Sequence, residues 1–377
     1  MSDPLNMPWS DLLPPALPGQ AAIELSGWLV TRRGEPLLWL PNRTELARAV
    51  LSLYPAQTFP ARCARALLAR TVGRFRLPGL RRWELRFRAD APFLQVLRHP
   101  AAPHRVRPFG LFCGNPNAAG RRLLFLCFSP DGRPDQVIKA GSGPAAVRRL
   151  QAEVNVLQTI GADRLHAPPV EFVWEGEHAL AMVQPWVPGQ APRGLPVECL
   201  GTLLGTWLDR QRRVRLAELP PWQRCRARLA QTGFSCPWME QLGRLEVHPT
   251  VLHGDFAPWN LRHDPVTNRW WVLDWERGEP LGPPGWDWVY GLVQTWVLVH
   301  RWQPARILDA LAASVDSPPL RDHLAAAHVE SVRLPLVAAG LLFHYLEWPP
   351  TEGRSAWEGI VHGLVARVRA QVPYGRS

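Results

Sequence analysis

The sequence predicts an α+β chain of two lobes, a small one built on an antiparallel sheet with one helix and a larger, mainly helical one, with an N-terminal extension ahead of them. Three observations predict it. Short strand-like apolar runs crowd the stretch before residue 186, and one strongly periodic helix interrupts them. A Pro/Gly hinge, Pro185-Trp-Val-Pro-Gly189, closes that stretch. Beyond it, nearly every segment carries helical periodicity. The implied divisions are 1–105, an extension with no role assigned; 106–186, the small lobe; and 187–377, the helical lobe.

Composition fits a folded chain. Of 377 residues 46% are hydrophobic and 20% charged, enough to bury a sizeable core. The 40 prolines and 29 glycines therefore read as loop punctuation. The formal charge of +11 would ordinarily suggest a nucleic-acid surface, but the basic side chains are dispersed, and Lys139 is the only lysine among 43 of them. A general drift from Lys to Arg explains that pattern without a binding patch, so no specific nucleic acid is expected as a partner. It also singles out Lys139, because a compact ammonium and a planar guanidinium fork are not interchangeable. The N-terminal twenty residues carry no basic residue and no apolar run, so they are not read as a secretory signal. The longest apolar stretches, 334–343 and 296–299, fall short of the roughly 20 residues that a membrane span needs. Six cysteines without metal-ligand spacing complete the expectation of a cytoplasmic protein with reduced thiols.

In the extension, residues 27–31 and 36–40 read as a hairpin. Thr44 is placed to cap a helix running to residue 53, and 60–72 reads as a second helix. The basic cluster between Arg74 and Arg88 reads as a solvated rim. From Gly110 the pattern turns to strands, 110–113 and 123–128, joined by the turn-rich Gly114-Asn-Pro-Asn-Ala-Ala-Gly120. A short strand, Gln136-Val-Ile-Lys-Ala140, places Lys139 near its end. Ser142 and Pro144 then open a helix to about residue 160, with Val147, Leu150, Val154 and Leu157 at 3-4-3 spacing. Glu153 falls on the same side as that stripe, where a carboxylate is not solvated at random. Two strands follow, 170–174 and 179–184, before the hinge. Helices are expected at 197–213, 221–231, 237–245, 286–301, 304–313, 319–333, 335–345 and 355–372, with one strand, 269–275, among them.

The most informative stretch is Val251-Leu-His-Gly-Asp-Phe-Ala-Pro-Trp-Asn-Leu-Arg262, followed by Trp271-Val-Leu-Asp-Trp-Glu276. It contains H-x-D-x-x-x-x-N and then a second Asp at the end of an apolar strand. Phosphoryl transfer from a nucleotide needs a carboxylate to orient the attacking hydroxyl and accept its proton. It also needs oxygen ligands that hold Mg²⁺ against the phosphates. Asp255 fits the first requirement, and Asn260 with Asp274 fits the second.

On these residues the sequence resembles the aminoglycoside phosphotransferase and choline kinase group, which shares the protein-kinase-like fold. His253-Gly-Asp255 with Asn260, then Leu273-Asp-Trp-Glu276, looks like that group's catalytic segment. Upstream, Val137-Ile-Lys139 and Glu153 occupy the places of its phosphate-binding lysine and helix glutamate. Downstream, Gly282-Pro-Pro-Gly-Trp-Asp287 resembles its turn into a helix whose early Asp braces the catalytic loop. The resemblance covers roughly residues 108–370. It implies an ATP- (or GTP-) and Mg²⁺-dependent transfer to a hydroxyl of a small molecule, a sugar, aminoglycoside or amino alcohol. It implies adenine in an apolar slot near Val137 and Met182, bonded to backbone at Gln184 to Trp186. His253 and Asp287 are read as supports of the loop.

The glycine loop departs from G-x-G-x-x-G. Backbone amides from Gly114 to Gly120 suit nucleotide phosphates, and an ordinary hairpin turn predicts the same composition. Trp259, Trp270, Trp271, Trp275, Trp286 and Trp288 cluster around the motifs, suited to sugars and cations and equally to a core. The irregular loop and the extension also motivate a second reading, a kinase-like nucleotide-binding or inactive module acting through protein contacts.

Overall fold

The computed structural model describes residues 7–54, 59–72, 80–99, 102–114 and 120–371. The chain divides into two compact units, residues 1–158 with 168–187, and residues 159–167 with 188–377.

The first unit is built on one antiparallel sheet. Its elements, in chain order, are β1 (Ala22–Arg32), β2 (Glu35–Pro41), α1 (Thr44–Leu51), α2 (Phe59–Thr71), β3 (Leu80–Arg88), the single turn α3 (Leu94–Leu97), β4 (Arg98–His99), β5 (Ala102–Val106), β6 (Phe109–Phe112), β7 (Leu123–Phe128), β8 (Pro134–Ser142), α4 (Gly143–Ile160), β9 (Phe172–Glu175) and β10 (Ala179–Pro185). Eight strands join in the order β3-β1-β2-β6-β7-β8-β10-β9. The extension is therefore no separate unit: β2 pairs with β6 through Leu38↔Phe112, so the strands of residues 22–88 continue the sheet of residues 109–185.

Period-two alternation explains why the sheet is buried on both faces. Leu29, Trp39, Phe125, Cys127, Ile138 and Ala140 point to one apolar cluster, which also takes in Trp9, Leu12 and Leu13. Val30, Leu38, Leu40, Leu126 and Phe128 point to the other, covered by Leu46, Ala47 and Val50 of α1. At the β3 edge, Leu85 and Phe87 are buried while Arg82, Arg86 and Arg88 face solvent. Within residues 80–88 the basic residues thus blunt an edge strand, while residues 74–79 of the expected basic cluster lie outside the described residues. The expected helix cap Thr44 is the first helical residue, with Arg43 at the cap position and no side-chain cap bond. Ser142, expected to open α4, ends β8, and its hydroxyl donates to Asp11 (2.6 Å).

The second unit is mainly helical. It comprises α5 (Val197–Gly205), β11 (Val214–Arg215), α6 (Pro220–Leu229), α7 (Trp238–Gly243), β12 (Glu246–Val247), β13 (Thr250–Leu252), β14 (Leu261–Asp264), β15 (Arg269–Val272), β16 (Glu279–Gly282), α8 (Trp286–Gln294), a π turn (Thr295–Val299), α9 (Pro304–Asp316), α10 (Pro318–Ala326), α11 (Arg333–Glu347) and α12 (Arg354–Gln371). The first expected helix ends at Gly205, short of residue 213, with Thr206 at its C-cap. Trp207, Trp222, Trp238, Trp275, Trp286, Trp288 and Trp357 are all fully buried. Trp275, Trp286 and Trp288 are thereby core residues and not a substrate platform, whereas Trp259, Trp270 and Trp271 are half-buried. All six cysteines are free thiols. No helix among the described residues is long and apolar enough to cross a membrane.

Candidate functional site

In the second unit the H-x-D-x-x-x-x-N segment leaves β13 and runs through a 3-10 turn, Pro258–Asn260, into β14. The β14–β15 hairpin then returns the chain, Leu261 opposite Val272. The next rung is a bond from Leu273 N–H to the Asn260 carbonyl (2.8 Å). A strand, a turn and a strand thus account for the spacing in sequence, and Asn260 arrives opposite Leu273, the residue before Asp274. Asp274 takes a left-handed φ of 70°, a conformation that Asp tolerates better than most residues.

Asp255 is held from several directions. Asn260 Nδ2 donates to its carbonyl (2.8 Å) and to Oδ2 (3.2 Å). The Tyr290 hydroxyl donates to Oδ1 (2.9 Å), and Arg277 Nη1 lies 3.6 Å from the same oxygen. Burial would lower the basicity of Arg277, but the charges of Asp255 and Asp274 and the neighbouring Tyr290 hydroxyl outweigh it and raise its pKa. His253, fully buried, accepts the Asp255 N–H at Nδ1 (3.1 Å). An Nδ1 that accepts carries no proton, so the proton sits on Nε2, which donates to the Leu273 carbonyl (2.9 Å). His253 thus ties the loop to the end of β15 as a neutral ring. Gly254, with φ 77°, lies so close to Arg277 that a Cβ there would meet the Arg277 carbonyl oxygen at 2.7 Å. Gly291 on α8 likewise leaves room for the loop: a Cβ would sit 2.7 Å from the Phe256 carbonyl oxygen.

Asp287 lies in the first turn of α8, buried. Its two oxygens accept the backbone N–H groups of His253 (2.6 Å) and Gly254 (2.9 Å). Burial pushes its carboxyl from 3.8 up to about 7, against those two donations, and the Asp255 charge adds to the rise. Between these two values the folded chain holds a proton that the unfolded chain releases, so the stability from this group is full at low pH and is lost as pH rises through about 7. Thermal melts from about pH 5 to about pH 8 should show the wild type losing stability relative to Asp287→Asn as pH rises. A difference in Tm that stays constant with pH would contradict this.

In the first unit Lys139 Nζ and Glu153 Oε1 form an ion pair of 2.5 Å, with side chains only 12% and 1% exposed. The sequence periodicities bring them together. On β8 Lys139 shares its face with Gly141 and not with the core residues Ile138 and Ala140. At Gly141 α4 packs so tightly that a Cβ would meet the Ala146 Cβ at 2.7 Å. Glu153 follows Leu150 by three residues and lies within the buried stripe of α4.

Gly114 and Gly120 bracket the turn-rich loop, each with positive φ, while its interior, residues 115–119, lies outside the described residues. Gln184, buried near the end of β10, turns its side-chain amide inward to the Pro168 carbonyl (2.8 Å). The Trp186 N–H donates to the Asp135 carbonyl (2.8 Å). The Trp186 N–H, expected to face adenine, and the Gln184 side-chain amide are thus both engaged inside the unit. Met182 is buried and Val137 half-buried.

Sequence reasoning missed Arg277 and Tyr290. The signal for Tyr290 was available, since it follows Asp287 by three residues on one helix and so shares its face. For Arg277, three residues beyond Asp274, position alone carried none.

No protein-family profile matches the sequence, and no curated protein matches it. Among solved structures, the chain is similar to an aminoglycoside phosphotransferase of Streptomyces rimosus, at 17% identity over 60% of this chain and 90% of that one, with a TM-score of 0.38. It is similar to a macrolide 2'-phosphotransferase of Brachybacterium faecium, at 18% identity over 67% and 91%, with a TM-score of 0.39. It is also similar to a choline kinase of Streptococcus pneumoniae, at 12% identity over 68% and 93%, with a TM-score of 0.38.

Proposed function

We propose that this chain is a phosphotransferase of the protein-kinase-like type, moving the γ-phosphate of ATP or GTP to a hydroxyl of a small molecule with Mg²⁺. The observation that carries the reading is the loop cluster of the second unit. Asp255, a carboxylate with both oxygens accepting hydrogen bonds, shares one loop with Asn260, and a single backbone bond sets Asn260 beside the Leu273–Asp274 step.

The donor set suits Mg²⁺. Asn260 commits its Nδ2 to Asp255, so its amide oxygen faces the other way. With the Asp274 carboxylate it offers hard oxygen ligands of the kind this ion takes alongside phosphates. Among the described residues no three His, Cys, Asp or Glu side chains form a metal cage. Mg²⁺, when bound, neutralises charge across the β- and γ-phosphates.

In this reading Lys139, oriented by Glu153, grips the phosphates. Asp255 orients the acceptor hydroxyl and takes up its proton as the hydroxyl oxygen accepts the phosphoryl group and the nucleoside diphosphate leaves. His253 and Asp287 hold the loop, and Gly114 to Gly120, Gln184 and Trp186 border the nucleotide. The acceptor is a sugar, an aminoglycoside or an amino alcohol, and the reaction takes place in the cytoplasm.

The test uses the purified full chain with ATP or GTP and Mg²⁺ against a broad panel of those acceptors, with product read by mass. Phosphorylated product is expected. Nucleotide-dependent thermal stabilisation with no product from any acceptor would replace this reading with a nucleotide-binding module. Neither binding nor turnover would overturn both.

A further inference from the structure

We propose that Tyr290 is a positioning residue for Asp255, fixing the carboxylate in the orientation from which it takes up the acceptor's proton; this rests on the phosphotransferase reading above. The Tyr290 hydroxyl donates to Oδ1 and Asn260 Nδ2 to Oδ2. The terminal torsion of an aspartate is broad and roughly two-fold, so one donor leaves the carboxylate free to turn. Two donors, one on each oxygen, hold its plane. Arg277, at 3.6 Å, balances charge but is too far away to direct an oxygen.

Tyr290 is itself held from two sides. Its oxygen accepts a hydrogen bond from Gln294 Nε2 (2.6 Å), one helical turn along α8. A hydroxyl that accepts one bond donates a stronger one, so Gln294 acts on Asp255 only through Tyr290. Its ring stacks on His344, centroids 4.0 Å apart and planes at 23°. That contact sets the ring independently of the hydrogen bonds. Burial holds His344 well below its usual pKa, so the stacked imidazole is neutral. Burial and the Asp255 charge push the phenol well above 10, so Tyr290 remains a donor at any working pH.

Tyr290→Phe keeps the ring, the stack and the volume and removes only the hydroxyl. Assayed with ATP, Mg²⁺ and the panel acceptor that the wild type phosphorylates, it should lose roughly 10- to 100-fold in kcat, as for a hydrogen bond to a charged group. Both KM values should stay within about threefold of wild type, because binding contacts are untouched. Gln294→Leu should lower kcat by a smaller factor, and Tyr290→Phe/Gln294→Leu should fall no further than Tyr290→Phe alone. A merely structural role would instead lower Tm and leave the two substitutions additive in kcat. A Tyr290→Phe enzyme with wild-type kcat, or an additive double variant, would overturn the inference, and Gln294→Leu with unchanged kcat would do so even if Tyr290→Phe failed to fold. A wild type that phosphorylates no acceptor removes the underlying reading and this inference with it, an outcome distinct from an active wild type whose rate ignores Tyr290.

Discussion

Asp255→Asn is expected to lower phosphorylation of any acceptor by roughly 10²- to 10⁴-fold, the range that a positioned general base supplies. Asn has the shape of Asp but cannot take up the hydroxyl proton. The loop has independent supports that survive the change. Asp287 still accepts the His253 and Gly254 N–H groups, His253 still reaches the Leu273 carbonyl, and Asn260 still holds the residue 255 carbonyl. Circular dichroism should therefore show the native fold, and Asp255→Ala should behave alike. Nucleotide binding rests on Lys139, Asn260 and Asp274 in this reading, so thermal stabilisation by ATP with Mg²⁺ should remain while turnover disappears. An Asp255→Asn protein with wild-type turnover would strip Asp255 of the proposed role.

What the sequence made legible follows element length and periodicity. α4 runs through several full periods, which put Glu153 beside the buried stripe, whereas the meeting of Glu153 with Lys139 was implied by the family resemblance and not by periodicity. β14 has four residues, Leu261-Arg-His-Asp264, with one apolar side chain, too few for any period to show. The rung between Leu273 and Asn260 was hidden for that reason, although the motif had already named both of the residues it joins. β3 was masked differently: its arginines alternate with Leu85 and Phe87, and the charge run drew the eye from the alternation. Arg277 depends on a non-local approach, the Gly254 turn against residue 277, and no local pattern encodes that.

Lys139→Arg should abolish most ATP-dependent turnover although it conserves charge. The ammonium sits 2.5 Å from Glu153 in a site where both side chains are nearly buried. A guanidinium is longer, planar and wide, and meets a carboxylate through a fork, so it has to displace its neighbours or leave Glu153. Stability and function can be separated here. Lys139→Met withdraws the ammonium from a carboxylate that is 1% exposed and should cost about 3–5 kcal/mol, as when one partner of a buried ion pair is removed. Adding Glu153→Gln removes that buried charge and should restore much of the lost Tm, since the two sites share one interaction. Turnover should not return, because the double variant still lacks the cation that meets the phosphates. If the double variant regained turnover along with its Tm, Lys139 would be a structural partner of Glu153 and nothing more. If Lys139→Arg matched the wild-type rate, survival of the one lysine among the arginines would be coincidence.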